Sequence, residues 1–300
     1  VIRLSCFLLL LLLPGTVPGK ETSLSFATWN VQNFLVQNRF EEGKFLFQYP
    51  MPESRKKRIR EQILLESPDV LFIQELGGPG YLRELQLDLK AGGLDYPFRH
   101  YAGHPESRTG LSVLSKTPPG KVVFHDAVPI GIDAPENPLM RRGIQEVGFK
   151  INETWYWFYH VHLKSRYSED PDDPDARKVR AGEIRALARF LEAHRRANPQ
   201  DVLFVAGDFN TPFGDRLLDP LRGAFLPVAA TDDAGNPDTY FHHSGRSEVL
   251  DGFWNLGISP VDVSPAATIV PVPVACPSDH RMIIMRIPER AQGNQGGCQH

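Results

Sequence analysis

Short apolar runs that break off in a carboxylate, an amide or a histidine recur along this sequence. One leads into Trp29-Asn30-Val31-Gln32-Asn33 and another into Ile73-Gln74-Glu75. Further on stand Tyr159-His160-Val161-His162-Leu163-Lys164-Ser165 and Val205-Ala206-Gly207-Asp208-Phe209-Asn210. Pro277-Ser278-Asp279-His280 precedes the last run. A buried strand normally ends in turn residues, so an ionisable group just past its apolar stretch needs a reason. Each has an ordinary one alone: a lone Glu caps a turn, and Asp208 with Asn210 fits an Asx turn. Repeated through one chain, they ask for strand ends that converge.

Residues 23–29 alternate like a half-buried strand, and 70–73 read as a buried one. Strand-like runs follow at 111–114, 122–125, 145–151, 155–163, 202–206, 239–241, 250–254, 268–274 and 281–287. Over 53–66, Ile59, Ile63 and Leu64 share a helical face that Pro68 ends. Tyr81, Leu85 and Leu89 mark a second helix that stops at Gly92-Gly93, and Ile184, Leu187, Ala188 and Leu191 a third within 176–195. The stretches 129–138 and 167–175 read as surface loops. Strands that stand alone in places and alternate with helices in others imply one α+β domain of two packed sheets with outer helices.

Ahead of this pattern, Arg3 precedes an apolar stretch from Cys6 to Leu13, and Pro14, Gly15, Pro18 and Gly19 follow. That is the layout of a secretory signal peptide, and it is shorter than the roughly 20 apolar residues of a membrane span. The expectation is a leader over 1–19, one domain over 20–290 and a Gly/Gln-rich tail over 291–300, in a secreted or periplasmic monomer without a transmembrane anchor. Loss of the leader leaves Cys276 and Cys298, as a disulfide or as two free thiols. With 33 Lys+Arg against 36 Asp+Glu, the net charge is −3. That excludes recognition by bulk positive charge, as in a nucleic-acid coat or a polybasic membrane anchor, but not a local phosphate site. No Cys/His cluster has zinc spacing.

In their order and spacing, Trp29-Asn30, Gln74-Glu75, His162-Leu163-Lys164-Ser165, Gly207-Asp208-Phe209-Asn210 and Ser278-Asp279-His280 resemble the motifs of the endonuclease/exonuclease/phosphatase superfamily, in a secreted bacterial-type form. The resemblance runs from about Leu24 to Ile287. It implies a four-layer α/β/β/α sandwich of two mixed sheets, as in DNase I, with a site at one edge and divalent-metal-dependent phosphoester cleavage. It also implies roles. Glu75 matches a metal-binding glutamate, Asp279 a second metal-site carboxylate, and Asn30 a residue holding metal or phosphate. Oxygen donors of this kind suit Mg²⁺ or Mn²⁺. Asp208 matches the group that orients or deprotonates the nucleophile or leaving group, Asn210 a phosphate contact, and His162 a histidine that contacts or protonates phosphate. His280 matches a base or phosphate binder oriented by Asp251. Arg142, or its neighbour Arg141, matches an arginine that touches phosphate, whereas His160 lies outside the motif.

Two features bear on substrate. Nucleic-acid-cleaving relatives carry a site tyrosine from the central segment, and the stretch from His104 to Gly110 has none, although Tyr101 is near. The acids Glu169, Asp170, Asp172, Asp173 and Asp175 follow the His162 strand and would repel a long polyanion unless otherwise engaged. The leading expectation is a nuclease. The alternative is the same chemistry on a phospholipid head group or a sugar or inositol phosphate, for which Phe45 to Met51 is the candidate apolar hairpin. A binding module with a decayed site ranks third.

Overall fold

The structure is a computed structural model that describes residues 23–288 apart from 42, 105–106, 132–137, 152, 257–264 and 272–276. The expected leader, the tail and both Cys276 and Cys298 lie outside the described residues. In chain order the elements are β1 (Ser23–Phe34), β2 (Gln37–Glu41), β3 (Lys44–Tyr49), α1 (Glu53–Glu66), β4 (Val70–Leu76), α2 (Pro79–Ala91), β5 (Phe98–Ala102), β6 (Gly110–Ser115) and β7 (Lys121–His125). Then come β8 (Ile144–Ile151), β9 (Thr154–His162), α3 (Arg177–Ala197), β10 (Val202–Asp208), α4 (Asp219–Arg222), β11 (Phe225–Pro227) and β12 (Ala230–Thr231). β13 (Tyr240–Phe241), β14 (Ser247–Glu248), β15 (Asp251–Leu256), β16 (Ala266–Ile269) and β17 (Ile283–Pro288) complete the fold.

One sheet has the order β12-β16-β17-β1-β4-β6-β5 and the other β11-β15-β10-β9-β8-β7. Both are mixed: β1 runs parallel to β4 and β10 parallel to β9, while the other pairs near the site are antiparallel. Strand alternation sorts the core into three slabs. Phe26, Phe72, Phe158, Phe204, Phe253 and Ile283 fill the space between the sheets. Ala27, Leu71 and Ile73 face the other way, onto Ile59 and Ile63 of α1 and Leu85 and Leu89 of α2. Tyr159, Val161, Leu203 and Val205 face Ile184, Leu187 and Leu191 of α3. The result is the expected α/β/β/α sandwich.

Three expectations need adjustment. The run expected as a strand over 239–241 forms only a two-residue pairing with β14, outside both sheets. The run over 268–274 gives a strand that ends at Ile269. The segment from Phe45 to Met51 divides: Met51 is buried in the core under α1, whereas Phe45 and Phe47 belong to an exposed β2–β3 hairpin. Among the described residues, no helix is long and apolar enough to cross a membrane.

His160 joins the sheets through the middle of the sandwich. Its Nδ1 lies 3.0 Å from Gln145 Oε1 of β8, and its Nε2 lies 2.6 Å from the Gln74 amide of β4, which also donates to Thr28 Oγ1 at 3.0 Å. The neutral Nδ1–H tautomer satisfies both partners, donating to Gln145 and accepting from Gln74. Burial lowers the imidazole pKa to about 3. A folded-state value below the unfolded one means that His160 favours folding above pH ~6.5 and that this is lost as pH falls toward 3, at about 1.4 kcal/mol per pH unit. Urea unfolding of wild type and His160→Gln from pH 7 to pH 4 is expected to show wild type losing stability relative to the variant. Parallel curves would remove His160 from the acid response.

Candidate active site

The same alternation that fills the space between the sheets with phenylalanine delivers polar groups at one end of it. On β9, Phe158 is followed on its face by His160 and His162; on β10, Phe204 and Ala206 are followed by Asp208; on β1, Phe26 is followed by Thr28 and Asn30. β15 enters from the opposite direction, so Asp251 precedes Phe253. Register then sets these side by side, since Asp208 pairs with His162 on one flank and with Asp251 on the other. Gly207, at φ 142°, permits this approach: a Cβ there would lie 1.9 Å from the Val161 carbonyl oxygen.

Glu75 does not arrive by alternation. Leu71 and Ile73 point to the helices, and Glu75 in continued strand geometry would follow them. Instead its backbone is left-handed at φ 64°, and the β4–β6 register shifts between Ile73 and Leu76. The facing end of β1 is also shifted, with Gln32 at φ 50° and Asn33 at φ 58°. Such irregularities re-aim side chains at the cost of local strain. Asn210, at φ 48°, is likewise left-handed. It meets Asp208 through an Asx turn, its N–H donating to Asp208 Oδ1 at 2.7 Å, and not by extended i, i+2 projection.

The assembled site has a buried dyad at its centre. His280 Nδ1 lies 2.8 and 3.0 Å from the Asp251 carboxylate oxygens, and its Nε2 is 3.9 Å from both Asp208 Oδ2 and Asp279 Oδ1. Thr239 Oγ1 donates to Asp251 Oδ2 at 2.9 Å. Trp29 Nε1 donates to the His280 carbonyl at 3.0 Å, and the Ser278 hydroxyl donates to the Asn30 carbonyl at 2.7 Å. Burial draws the His280 pKa down, but Asp251, Asp208 and Asp279 together outweigh it and raise it to about 10. Burial, with Asp251 adding to it, raises Asp208. His162 is held well below its usual range by burial and by Arg142. Its Nε2 is 3.4 Å from Asp208 Oδ2 and 3.8 Å from Glu75 Oε1.

Asn30 ties the two sheets' acids together. Its Nδ2 donates to Glu75 Oε1 at 3.1 Å and to Asp208 Oδ2 at 3.0 Å, while its Oδ1 accepts the Gln32 N–H at 3.0 Å. Glu75 Oε2 accepts the Asn33 N–H at 2.9 Å. Asp208, Asp251 and His280 also place ligand atoms within 4.8 Å of one another. His280 Nδ1 is spent on Asp251, however, and a hard cation asks for oxygen donors and room for water. Glu75 and Asp279 fit that better: both line the open cleft, and Asp279 Oδ1 is buried without a hydrogen-bond partner.

The cleft, about 420 Å³, is lined by Glu75, Asp208, Asn210, Asp279 and His280 together with residues that no sequence motif marked: Arg166, Tyr240, His242 and Arg246. Tyr240 lies against the His280 ring, centroids 4.7 Å apart, so the site has a tyrosine after all, from β13 and not from the central segment. Arg166 pairs with Glu248 at 2.8 Å. Arg142 approaches from behind, donating to the Leu163 carbonyl at 3.1 Å, and Arg141 is exposed. The acidic loop is partly engaged, Asp173 accepting the Lys178 N–H at 3.0 Å at the start of α3, whereas Arg177 pairs outside it with Asp215 at 3.0 Å.

A family model described as the endonuclease/exonuclease/phosphatase family matches residues 27–280. The chain belongs to this family. Membership makes it a divalent-metal-dependent phosphoric ester hydrolase and leaves the ester to be argued. No curated protein matches the sequence. Among solved structures, sphingomyelinase C from Streptomyces griseocarneus is similar, with TM-score 0.64, 18% identity, and 88% of this chain and 99% of that chain covered. Truncated TDP2 from Caenorhabditis elegans gives TM-score 0.59, 17% identity and coverage of 89% and 98%. A doubly substituted Staphylococcus aureus beta toxin with bound magnesium ions gives TM-score 0.63, 16% identity and coverage of 88% and 99%. At these identities the likeness is one of fold.

Proposed function

We propose that this family member is a phosphodiesterase that hydrolyses nucleic acid, by attack of water assisted by Mg²⁺ or Mn²⁺. The observation that carries the hydrolytic reading is the buried Asp251–His280 pair, whose Nε2 faces Asp208 across 3.9 Å at the floor of an open cleft. Glu75 and Asp279 would hold the cation, with Asn30 orienting Glu75 through its amide. When bound, the cation supplies charge neutralisation at the anionic ester. Asp208 takes a proton from the attacking water, His280 donates to the ester or its leaving oxygen, and His162, Asn210 and Arg142 fix the phosphoryl oxygens. Arg166, Arg246 and His242 on the outer wall support a chain with flanking phosphates. Plasmid DNA and RNA incubated with Mg²⁺, Mn²⁺ or EDTA test this: cation-dependent cleavage that EDTA stops is expected, and intact nucleic acid under all conditions overturns it.

One observation favours a second reading, a phospholipid diester. The β2–β3 hairpin sets Phe40 opposite Phe45, and Phe40, Phe45 and Phe47 are 73, 64 and 74% exposed. The hairpin is pinned to the cleft rim by Arg39, whose guanidinium donates to the Asn33 carbonyl at 2.7 Å. An apolar patch of this kind on a water-facing edge marks an interaction surface. If the ester lies in a bilayer, Phe45→Ser with Phe47→Ser lowers hydrolysis of sphingomyelin or phosphatidylcholine vesicles about 10-fold or more while leaving soluble bis-p-nitrophenyl phosphate unaffected. Equal turnover on vesicles by wild type and variant removes this reading.

A further inference from the structure

On α3 the core-facing stripe comprises Arg180, Glu183, Ile184, Leu187 and Leu191. A glutamate on the apolar face of an amphipathic helix breaks the pattern that buries it, and such breaks concentrate where function requires them. Glu183 is buried, and both its oxygens are used. Oε1 accepts the Arg141 N–H at 3.1 Å and Oε2 the Lys164 N–H at 2.6 Å. These amides belong to two different turns, one leading into β8 and the other leaving β9.

The same two turns carry the phosphate side of the site. Arg142 directly follows one clamped amide, and His162-Leu163 directly precedes the other. The Leu163 carbonyl then accepts from Arg142 Nη1 at 3.1 Å and from Asn210 Nδ2 at 2.9 Å. Asn210 Nδ2 in turn lies 3.3 Å from Asp208 Oδ2. A chain of hydrogen bonds therefore runs from Glu183 through the backbone to Arg142, Asn210 and Asp208. Burying a carboxylate is costly, and a neutral side chain could fill the same space, so mere packing does not account for it.

We propose that Glu183 is a positioning residue for phosphoester hydrolysis, fixing the two turns that hold Arg142 and His162 behind the cleft and, through the Leu163 carbonyl, Asn210 in its wall. The proposal rests on the hydrolase reading above but is independent of which ester is cleaved. A glutamine here keeps the shape but turns a donor amide toward one backbone N–H, releasing half the clamp. With bis-p-nitrophenyl phosphate and Mn²⁺, Glu183→Gln is expected to lower kcat/KM about 10- to 100-fold, as for other supporting partners of an active site. In an Arg142→Met background the same change is expected to cost measurably less than in wild type, because one of the groups it acts through is gone. Glu183→Asp, which keeps the charge but shortens the reach, is expected to behave similarly should the glutamine variant not fold. Amide exchange of Arg141 and Lys164, slow in wild type and fast in the variant, reads the clamp without any activity. Unchanged kcat and KM in a folded variant, or full additivity with Arg142→Met, overturns the proposal. An inert wild type with protected amides overturns the hydrolase reading and leaves Glu183 a structural clamp only.

Discussion

Alanine at position 280 is expected to lower kcat by about 10³-fold, the upper half of the range for loss of a positioned acid or base. The imidazole is held from both ends: Asp251 takes Nδ1 at 2.8 Å, and Nε2 faces Asp208 and Asp279. Burial opposes the charged form, but three carboxylates outweigh it, and the pKa of about 10 keeps the ring an imidazolium at neutral pH. Because this value lies above the unfolded ~6.5, the interaction stabilises the fold fully below pH 6.5 and is lost as pH rises through 10. In the proposed mechanism the protonated ring donates or binds phosphate, and Asp208, whose pKa burial and Asp251 raise, takes the proton of the attacking water. Asp251→Asn is expected to cost nearly as much as His280→Ala, and the double variant little more than either, because the residues act as one unit. Steady-state kinetics on bis-p-nitrophenyl phosphate at saturating Mn²⁺ measure this. A His280→Ala enzyme retaining more than about a tenth of wild-type kcat would show that the dyad is not the proton-handling unit.

How far the sequence anticipated this site depended on how each residue is delivered. His162, Asp208 and Asn30 lie at the ends of regular strands, where a period of two carries the core face straight into the cleft. Their convergence could be read from the apolar runs ahead of them, whereas Asp251, which opens its strand, was legible only through the resemblance. Glu75 was legible as a strand end, but its direction was not, since alternation points it toward the helices and a bulge turns it back. Tyr240 fell in an expected strand with nothing to mark it as a site residue, and His242 and Arg246 lie between the two-residue strands β13 and β14, where there is no periodicity to detect. Glu183 was hidden for another reason. An acid within a helix rich in Arg reads as surface, and only its place on the 180–191 stripe marks it as buried. The aromatic hairpin was visible as composition, but burial could not be read from Phe45-Leu46-Phe47 alone, where a continuous apolar run fits core and protruding ribbon equally.

Glu75→Gln is expected to abolish cation-stimulated activity and to weaken Mn²⁺ binding at least 100-fold, beyond the 10- to 100-fold typical of residues that only support a ligand. The two side chains are nearly isosteric, so the effect isolates charge and acceptor capacity. Glu75 presents its carboxylate already oriented, Oε2 by the Asn33 N–H at 2.9 Å and Oε1 by the Asn30 amide at 3.1 Å. Each of those donors leaves a lone pair on its oxygen facing the cleft, and a glutamine would retain only one such oxygen. Asp279 makes the comparison informative. Burial raises its pKa and Glu75 raises it further, while His280, whose Nε2 is 3.9 Å from Oδ1, lowers it. Its Oδ1 accepts no hydrogen bond and would be free to take a cation. Asp279→Asn is expected to weaken Mn²⁺ less than Glu75→Gln does, because the Asp279 carboxylate is already partly neutralised by His280. Calorimetric titration of EDTA-stripped protein with Mn²⁺ gives both constants. Equal Mn²⁺ affinity in wild type and Glu75→Gln would move the cation to the Asp208–Asp251–His280 cluster, where the ligand atoms also lie within 4.8 Å.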